Sequence, residues 1–149
     1  MKQNFQKDLK FGQSKELEFC NLFPGKLKQT DGRKGDLLII KTNQKIELKT
    51  ERRASTETNN IFVELHSHHV NKTDGGPVQA FKAGCSHIVW QFADGVVLVY
   101  EIRAFLTRFS KLVKMGFFKM KIISFSNASG YALPIKEFQD ICLRMEDIL

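Results

Sequence analysis

The sequence predicts a single domain of the α/β (α+β) class, and three observations lead there. Short apolar runs of strand length, separated by Gly, Pro, Asn and Asp, recur from residue 26 to residue 100. Residues 102–114 and the stretch from Pro134 onward instead carry apolar side chains at helical spacing. A chain of 149 residues, 42% hydrophobic and with thirteen phenylalanines, is large and apolar enough to bury a substantial core in one domain.

Residues 13 to 23 read as an amphipathic helix, with Leu17, Cys20 and Phe23 at helical spacing and Pro24-Gly25 stopping it. Strands are expected at 26–31, 36–41, 45–51 and 60–66. The Thr42-Asn43-Gln44 break between the second and third is short enough for a hairpin. In the fourth, Ile61, Val63 and Leu65 alternate with Phe62, Glu64 and His66. A polar loop, His68 to Gly76, leads to Pro77, suited to the first turn of a short helix that ends at Gly84. Ser86 to Phe92 and Val96 to Tyr100 form a hairpin around Asp94-Gly95.

The helix over 102–114 buries Ile102, Phe105, Leu106, Phe109, Leu112 and Val113 and leaves Arg103, Arg108, Lys111 and Lys114 to water. A strand at 119–124 and a final helix opening at Pro134 complete the chain. That last helix presents Ile135, Phe138, Ile141, Cys142, Met145 and Ile148 on one face. The predicted order is α-β-β-β-β-α-β-β-α-β-α, without repeats, low-complexity tracts or a linker.

The net charge is +7 and the pI about 9.4, a balance that points to a polyanionic partner. Cys20, Cys85 and Cys142 are widely spaced in apolar surroundings and match no zinc pattern, so they read as free thiols in a reducing compartment. No apolar h-region opens the chain and no apolar run reaches membrane-span length, which predicts a cytoplasmic protein.

The chemistry concentrates in Gly35-Asp36-Leu37-Leu38-Ile39-Ile40 and Lys45-Ile46-Glu47-Leu48-Lys49-Thr50-Glu51. Side chains two apart on a strand share a face, so Glu47 and Lys49 project together while Ile46, Leu48 and Thr50 point away. Antiparallel pairing brings Asp36, at the start of the neighbouring strand, beside them. Two carboxylates and an ammonium at one point suit a divalent metal and a water molecule.

Asp36, Glu47 and Lys49 resemble the signature of the PD-(D/E)XK nuclease superfamily, with Gly35 in the position before the aspartate where proline is usual. Asp8-Leu9-Lys10 also matches the acid-x-Lys tripeptide, but it has no strand around it. The resemblance covers roughly residues 12 to 100. It implies a restriction-endonuclease-like αβββαβ core, a mixed central sheet flanked by helices, and a C-terminal βα addition. It implies an Mg2+-dependent hydrolase of DNA phosphodiesters, with Mn2+ able to substitute, and sometimes a homodimer. Endonucleolytic cutting of branched or structured DNA is the expected activity; a non-catalytic nucleic-acid-binding module on the same fold is the alternative. DNA against RNA stays open.

Within that resemblance Asp36 and Glu47 supply carboxylates to the metal and the backbone carbonyl of Leu48 joins them. Lys49 orients or deprotonates the attacking water, or stabilises the transition state. Gly12-Gln13-Ser14-Lys15-Glu16 resembles the superfamily's first helix, which makes Glu16 a further catalytic and metal-binding residue or else a solvated helix charge; Glu18 lies nearly opposite it. Arg33, Lys34, Arg52 and Arg53 flank the motif as phosphate clamps, with Lys72 on the polar loop. Gln79 and Lys82 sit on the short helix after Asp74-Gly75-Gly76-Pro77, where superfamily members carry residues that touch substrate. His66, His68 and His69 read as surface or groove-lining, with His66 the one able to touch substrate. Trp90 is expected in the core. Phe117 and Phe118, between Lys114 and Lys119, either pack a turn or bind unstacked bases.

Overall fold

A computed structural model describes residues 2–30, 37–123 and 127–149. Its elements are α1 (Lys2–Leu22), β1 (Leu27–Gln29), β2 (Leu37–Ile39), β3 (Lys45–Thr50), α2 (Ser55–Thr58), β4 (Asn60–His68), β5 (Thr73–Asp74) and α3 (Gly76–Lys82). There follow β6 (Cys85–Gln91), β7 (Val97–Glu101), α4 (Ile102–Lys114), β8 (Lys121–Ile123), β9 (Ala128–Pro134), a 3-10 segment (Ile135–Ile141) and α5 (Met145–Ile148). The strands form two sheets, β1-β2-β3-β6-β7 and β5-β4-β9-β8. The first is mixed: β3 and β6 run parallel, and every other neighbour is antiparallel.

Alternation decides which face of the first sheet each side chain covers. Ile46 and Leu48 of β3, Val89 of β6 and Val99 of β7 pack with Phe19 and Cys20 of α1 and with Met145 of α5. Ile88 and Trp90 of β6 and Tyr100 of β7 point the other way. There they meet Ile61 and Val63 of β4, Tyr131 and Leu133 of β9, Phe105 and Phe109 of α4, and Phe138. The first sheet is therefore a partition with a separate core on each side. Aromatic rings dominate the larger core, with Phe105 stacked on Phe138 at 4.7 Å between centroids and tilted against Trp90 at 5.1 Å.

The structure departs from the sequence expectations at identifiable places. Helix α1 begins at Lys2; among its described side chains Phe19 and Cys20 are buried, while Leu17 is 52% exposed. The expected polar loop contains β5, which pairs with β4 at His66 and His68. No long helix opens at Pro134, because β9 runs through that proline and pairs with β4. The apolar spacing after it is divided between the 3-10 segment and α5. Leu143, between them, donates its N–H to the carbonyl of Val99 at 2.8 Å. A continuous helix leaves the outer edge of β7 bare at that point, whereas the break lets the chain cover it. Phe138 then enters the larger core and Met145 the smaller one.

The C-terminal third is thus no addition to a finished core. Close approach of β9 to β4 requires glycine at one position: a Cβ on Gly130 meets the carbonyl oxygen of Val63 and comes within 2.9 Å of the Glu64 Cα. Arg108 of α4 ties the 3-10 segment down. It donates to the Glu137 carbonyl at 2.6 Å and to both Asp140 carboxylate oxygens at 2.6 and 2.7 Å.

Gly130→Ala is expected to destabilise the protein by about 1–3 kcal/mol, the usual cost of overpacking, read as a lower urea midpoint. The hydrogen bonds from Arg108 hold the Asp140 carboxyl below the ordinary carboxylate range. A depressed carboxylate stabilises the fold above its unfolded pKa and loses that contribution as pH falls through the folded value. Asp140→Asn should therefore be less stable than the parent at neutral pH. The gap should close as pH falls below the ordinary carboxylate range, as followed by urea midpoints at several pH values.

Candidate active site

Parallel pairing sets Glu47 beside Ile88 and Lys49 beside Trp90, so both charged side chains share the face of the larger core. They stand at the margin of that core, where the apolar cover ends. Lys49 Nζ lies 3.0 Å from a Glu47 carboxylate oxygen, with the side chains 33% and 17% exposed. A cavity of about 160 Å3 opens next to them, lined by Lys49, Glu51, Glu64, Pro77 and Trp90 among others. Strand β3 holds the pair rigidly from behind, because Ile46 and Leu48 are locked under α1.

Asp36, Arg33 and Lys34 lie outside the described residues. Leu37, which follows Asp36 in the chain, pairs with Ile46, the residue before Glu47. Glu16 sits on the sheet-facing side of α1, one turn before Phe19 and Cys20, and accepts a 3.4 Å hydrogen bond from Gln29 of β1. Glu18 is exposed and pairs with Lys15 at 3.1 Å, so the two glutamates have distinct roles in the helix. Among the described residues no group of three or more His, Cys, Asp and Glu side chains is arranged to hold a metal.

The expected phosphate clamps divide into two groups. Arg52 and Arg53 are at the end of β3, next to the pair. The Arg52 guanidinium lies 4.2 Å from the centre of the Phe11 ring, and Arg53 is held by Glu51 at 3.3 Å. Arg52, Phe11, Lys15 and Gln91 line a second cavity, of about 280 Å3, along the same strand end. The Gln91 Oε1 is buried there without a hydrogen-bond partner. Lys72, Gln79 and Lys82 form the other group, on the β5–α3 side. Lys72 is exposed at a left-handed position (φ 50°), Gln79 is exposed, and Lys82 is paired with Asp74. They connect to the cavity through Pro77, in the first turn of α3, which lines it together with Lys49.

Two contributors, Phe11 and Gln91, carried no local signal in the sequence. Phe11 precedes the expected helix start, and its role depends on Arg52 arriving from 41 positions away. Gln91 belongs to an apolar strand. Glu64 was visible in the β4 alternation, yet its contact with the Gly75-Gly76 backbone follows only from the fold: a Cβ on Gly75 comes within 2.5 Å of Glu64 Oε1. The histidines do not converge on a site. His68 Nδ1 accepts the Asn71 N–H at 3.2 Å, while the Nδ1 atoms of His66 and His69 are buried without partners. Burial in β6 pushes the His87 pKa down, partly opposed by Glu101.

Comparison of the chain with protein-family models, with curated proteins and with solved structures finds no match.

A partly exposed Glu–Lys pair on a well-braced strand contributes little to stability. Glu47→Gln and Lys49→Met should each cost about 1 kcal/mol or less in urea unfolding. A loss of about 3–5 kcal/mol would mark the pair as a buried structural ion pair instead.

Proposed function

We propose that the chain is a metal-dependent nuclease of the PD-(D/E)XK type that hydrolyses DNA phosphodiester bonds, acting as an endonuclease on branched or otherwise structured DNA. One observation carries the reading. Glu47 and Lys49 meet at 3.0 Å on a central strand of a mixed five-stranded sheet, and Lys49 lines a cavity that Glu51 and Glu64 also border. Charges placed there have little to do for the fold.

The donor set fits Mg2+ or Mn2+, hard cations that take carboxylate and carbonyl oxygens. Glu47 would supply a carboxylate, Leu48 its carbonyl and Asp36 the second carboxylate; the resemblance also names Glu16, whose helix covers the opposite face of the sheet. When bound, the ion would lower the pKa of a water and offset charge on the scissile phosphate. Lys49 holds its ammonium 3.0 Å from a Glu47 carboxylate oxygen, at the edge of the cavity. That position suits it to orient the attacking water and stabilise the extra negative charge of the five-coordinate phosphorus. Arg52 and Arg53 extend the cationic path beyond the strand end, where they contact phosphates on either side of the one cut. Dimerisation would present two such sites to two strands of a branch.

The test is cleavage of linear duplex, single strand, splayed arm, four-way junction and structured RNA with Mg2+, Mn2+ or EDTA. Parent, Asp36→Ala and Lys49→Ala are compared. Metal-dependent cutting lost in both variants is expected, by about 100-fold or more, with Lys49→Ala keeping its DNA affinity. Equal loss of affinity and cutting in Lys49→Ala would overturn its chemical role. Binding without cutting under every condition would assign the chain to a non-catalytic module.

A further inference from the structure

Charge is unevenly distributed along this chain. Between Ile102 and Lys136 stand seven Lys and Arg residues and no Asp or Glu, while the whole chain has a formal net charge of +7. The remaining residues balance, so one contiguous segment holds the entire excess. Arg108 is consumed internally by Asp140. Lys111, Lys114, Lys119 and Lys121 are all exposed. Lysines in the last turn of α4 also suit the negative end of the helix dipole, but Lys119 and Lys121 lie beyond it and have no such role.

Shape and apolar exposure add to the charge. Ser110, Lys111, Lys114 and Met115 line a broad groove of about 710 Å3 along the end of α4. Beyond it the chain turns at Gly116 (φ 77°), and the two phenylalanines separate. Phe118 packs against the larger core, whereas Phe117 is 76% exposed. Met120 and Ile122 are exposed beside it. A phenyl ring left in water between lysines forgoes the free energy of burial that Phe118 obtains one residue later.

We propose that the end of α4, the turn after it and β8 form a binding surface for an unpaired nucleic-acid strand. Lys111, Lys114, Lys119 and Lys121 contact phosphates and Phe117 stacks on a base. A duplex keeps its bases stacked inside, so an exposed ring gains from unstacked bases alone, and the surface is specific for the unpaired part of a substrate. An anionic membrane fits less well. The apolar stripe of α4 (Phe105, Phe109, Leu112) is already buried in the core, so α4 itself has no apolar face left to lay in a bilayer. The proposal rests on the nucleic-acid part of the reading above, not on cleavage.

The experiment measures fluorescence anisotropy of labelled oligo(dT) and of a blunt duplex in EDTA across a salt series, on the full chain carrying Glu47→Gln. Sedimentation with phosphatidylserine vesicles is run in parallel. Replacing the four lysines by alanine should reduce the slope of log affinity against log salt by about 2–3 for oligo(dT). Phe117→Ala should weaken oligo(dT) binding about tenfold, leave the salt slope unchanged and leave duplex binding unchanged. Thermal unfolding confirms that the variants fold. Parent-like oligo(dT) binding in either variant overturns the proposal, as does retention on vesicles without oligo(dT) binding. Oligo(dT) binding that depends on these residues, in a protein whose parent cuts nothing, upholds this surface while removing the nuclease reading.

Discussion

The parallel pairing of β3 with β6 is the constraint on which the rest of the structure depends. Parallel neighbours need a crossover, and here it consists of α2, β4, β5 and α3, which pass over one face of the sheet. That face therefore acquires a second layer, and the other must be closed by α1 and α5. A strand covered on both sides usually reads as continuous apolar sequence. Strand β3 does not: Ile46 and Leu48 are buried, while Glu47 and Lys49 are half-buried on the other face and Lys49 borders the gap the crossover leaves. The fold thus creates a semi-enclosed polar position on a rigid central strand. Such a site is costly for stability and suited to chemistry.

The crossover also explains why the C-terminal third is integral. Strand β4 leaves the first sheet and carries two hydrogen-bonding edges of its own. Strand β5 takes one edge and β9 the other, through pairings from Asn60↔Pro134 to His66↔Ser129. Without β9 the larger core loses Tyr131 and Leu133, and without the 3-10 segment it loses Phe138. The Arg108–Asp140 clamp and the Leu143–Val99 bridge then hold this returning chain at both ends.

Legibility in the sequence followed the range of the interactions. Strands β3, β6 and β7 and helix α4 were readable because alternation, the Asp94-Gly95 turn and a stripe at helical spacing are local signals. The pairing of Glu47 with Lys49 was readable for the same reason, since a strand places alternate residues on one face whatever surrounds it. Partition into two sheets was not readable: nothing within β4 says that its neighbour will be β9 rather than β3. The C-terminal segment misled because Ile135, Phe138, Ile141, Cys142, Met145 and Ile148 keep helical spacing through a 3-10 turn and a break. Their burial is divided between two cores that only tertiary structure defines. Arg52 meeting Phe11 belongs to the same class, a contact between distant segments with no periodic trace.

Electrostatics connect the two proposed surfaces. Carboxylates repel a phosphodiester until a bound cation neutralises them, so an acidic site is by itself a poor source of affinity for a polyanion. In this chain residues outside 102–136 carry balanced charge. In the two proposals, the field that attracts a nucleic acid would come chiefly from the α4–β8 surface, while Lys49 stands against Glu47 at the other. Binding energy gathered at one surface is spent on positioning at another. On that division, a substrate offering an unpaired strand to Phe117 and its lysines and a phosphodiester to Glu47 and Lys49 engages both. Duplex and free single strand would each satisfy one surface less well, so the two proposals together would make a preference for branched structures a matter of charge placement rather than of base contacts.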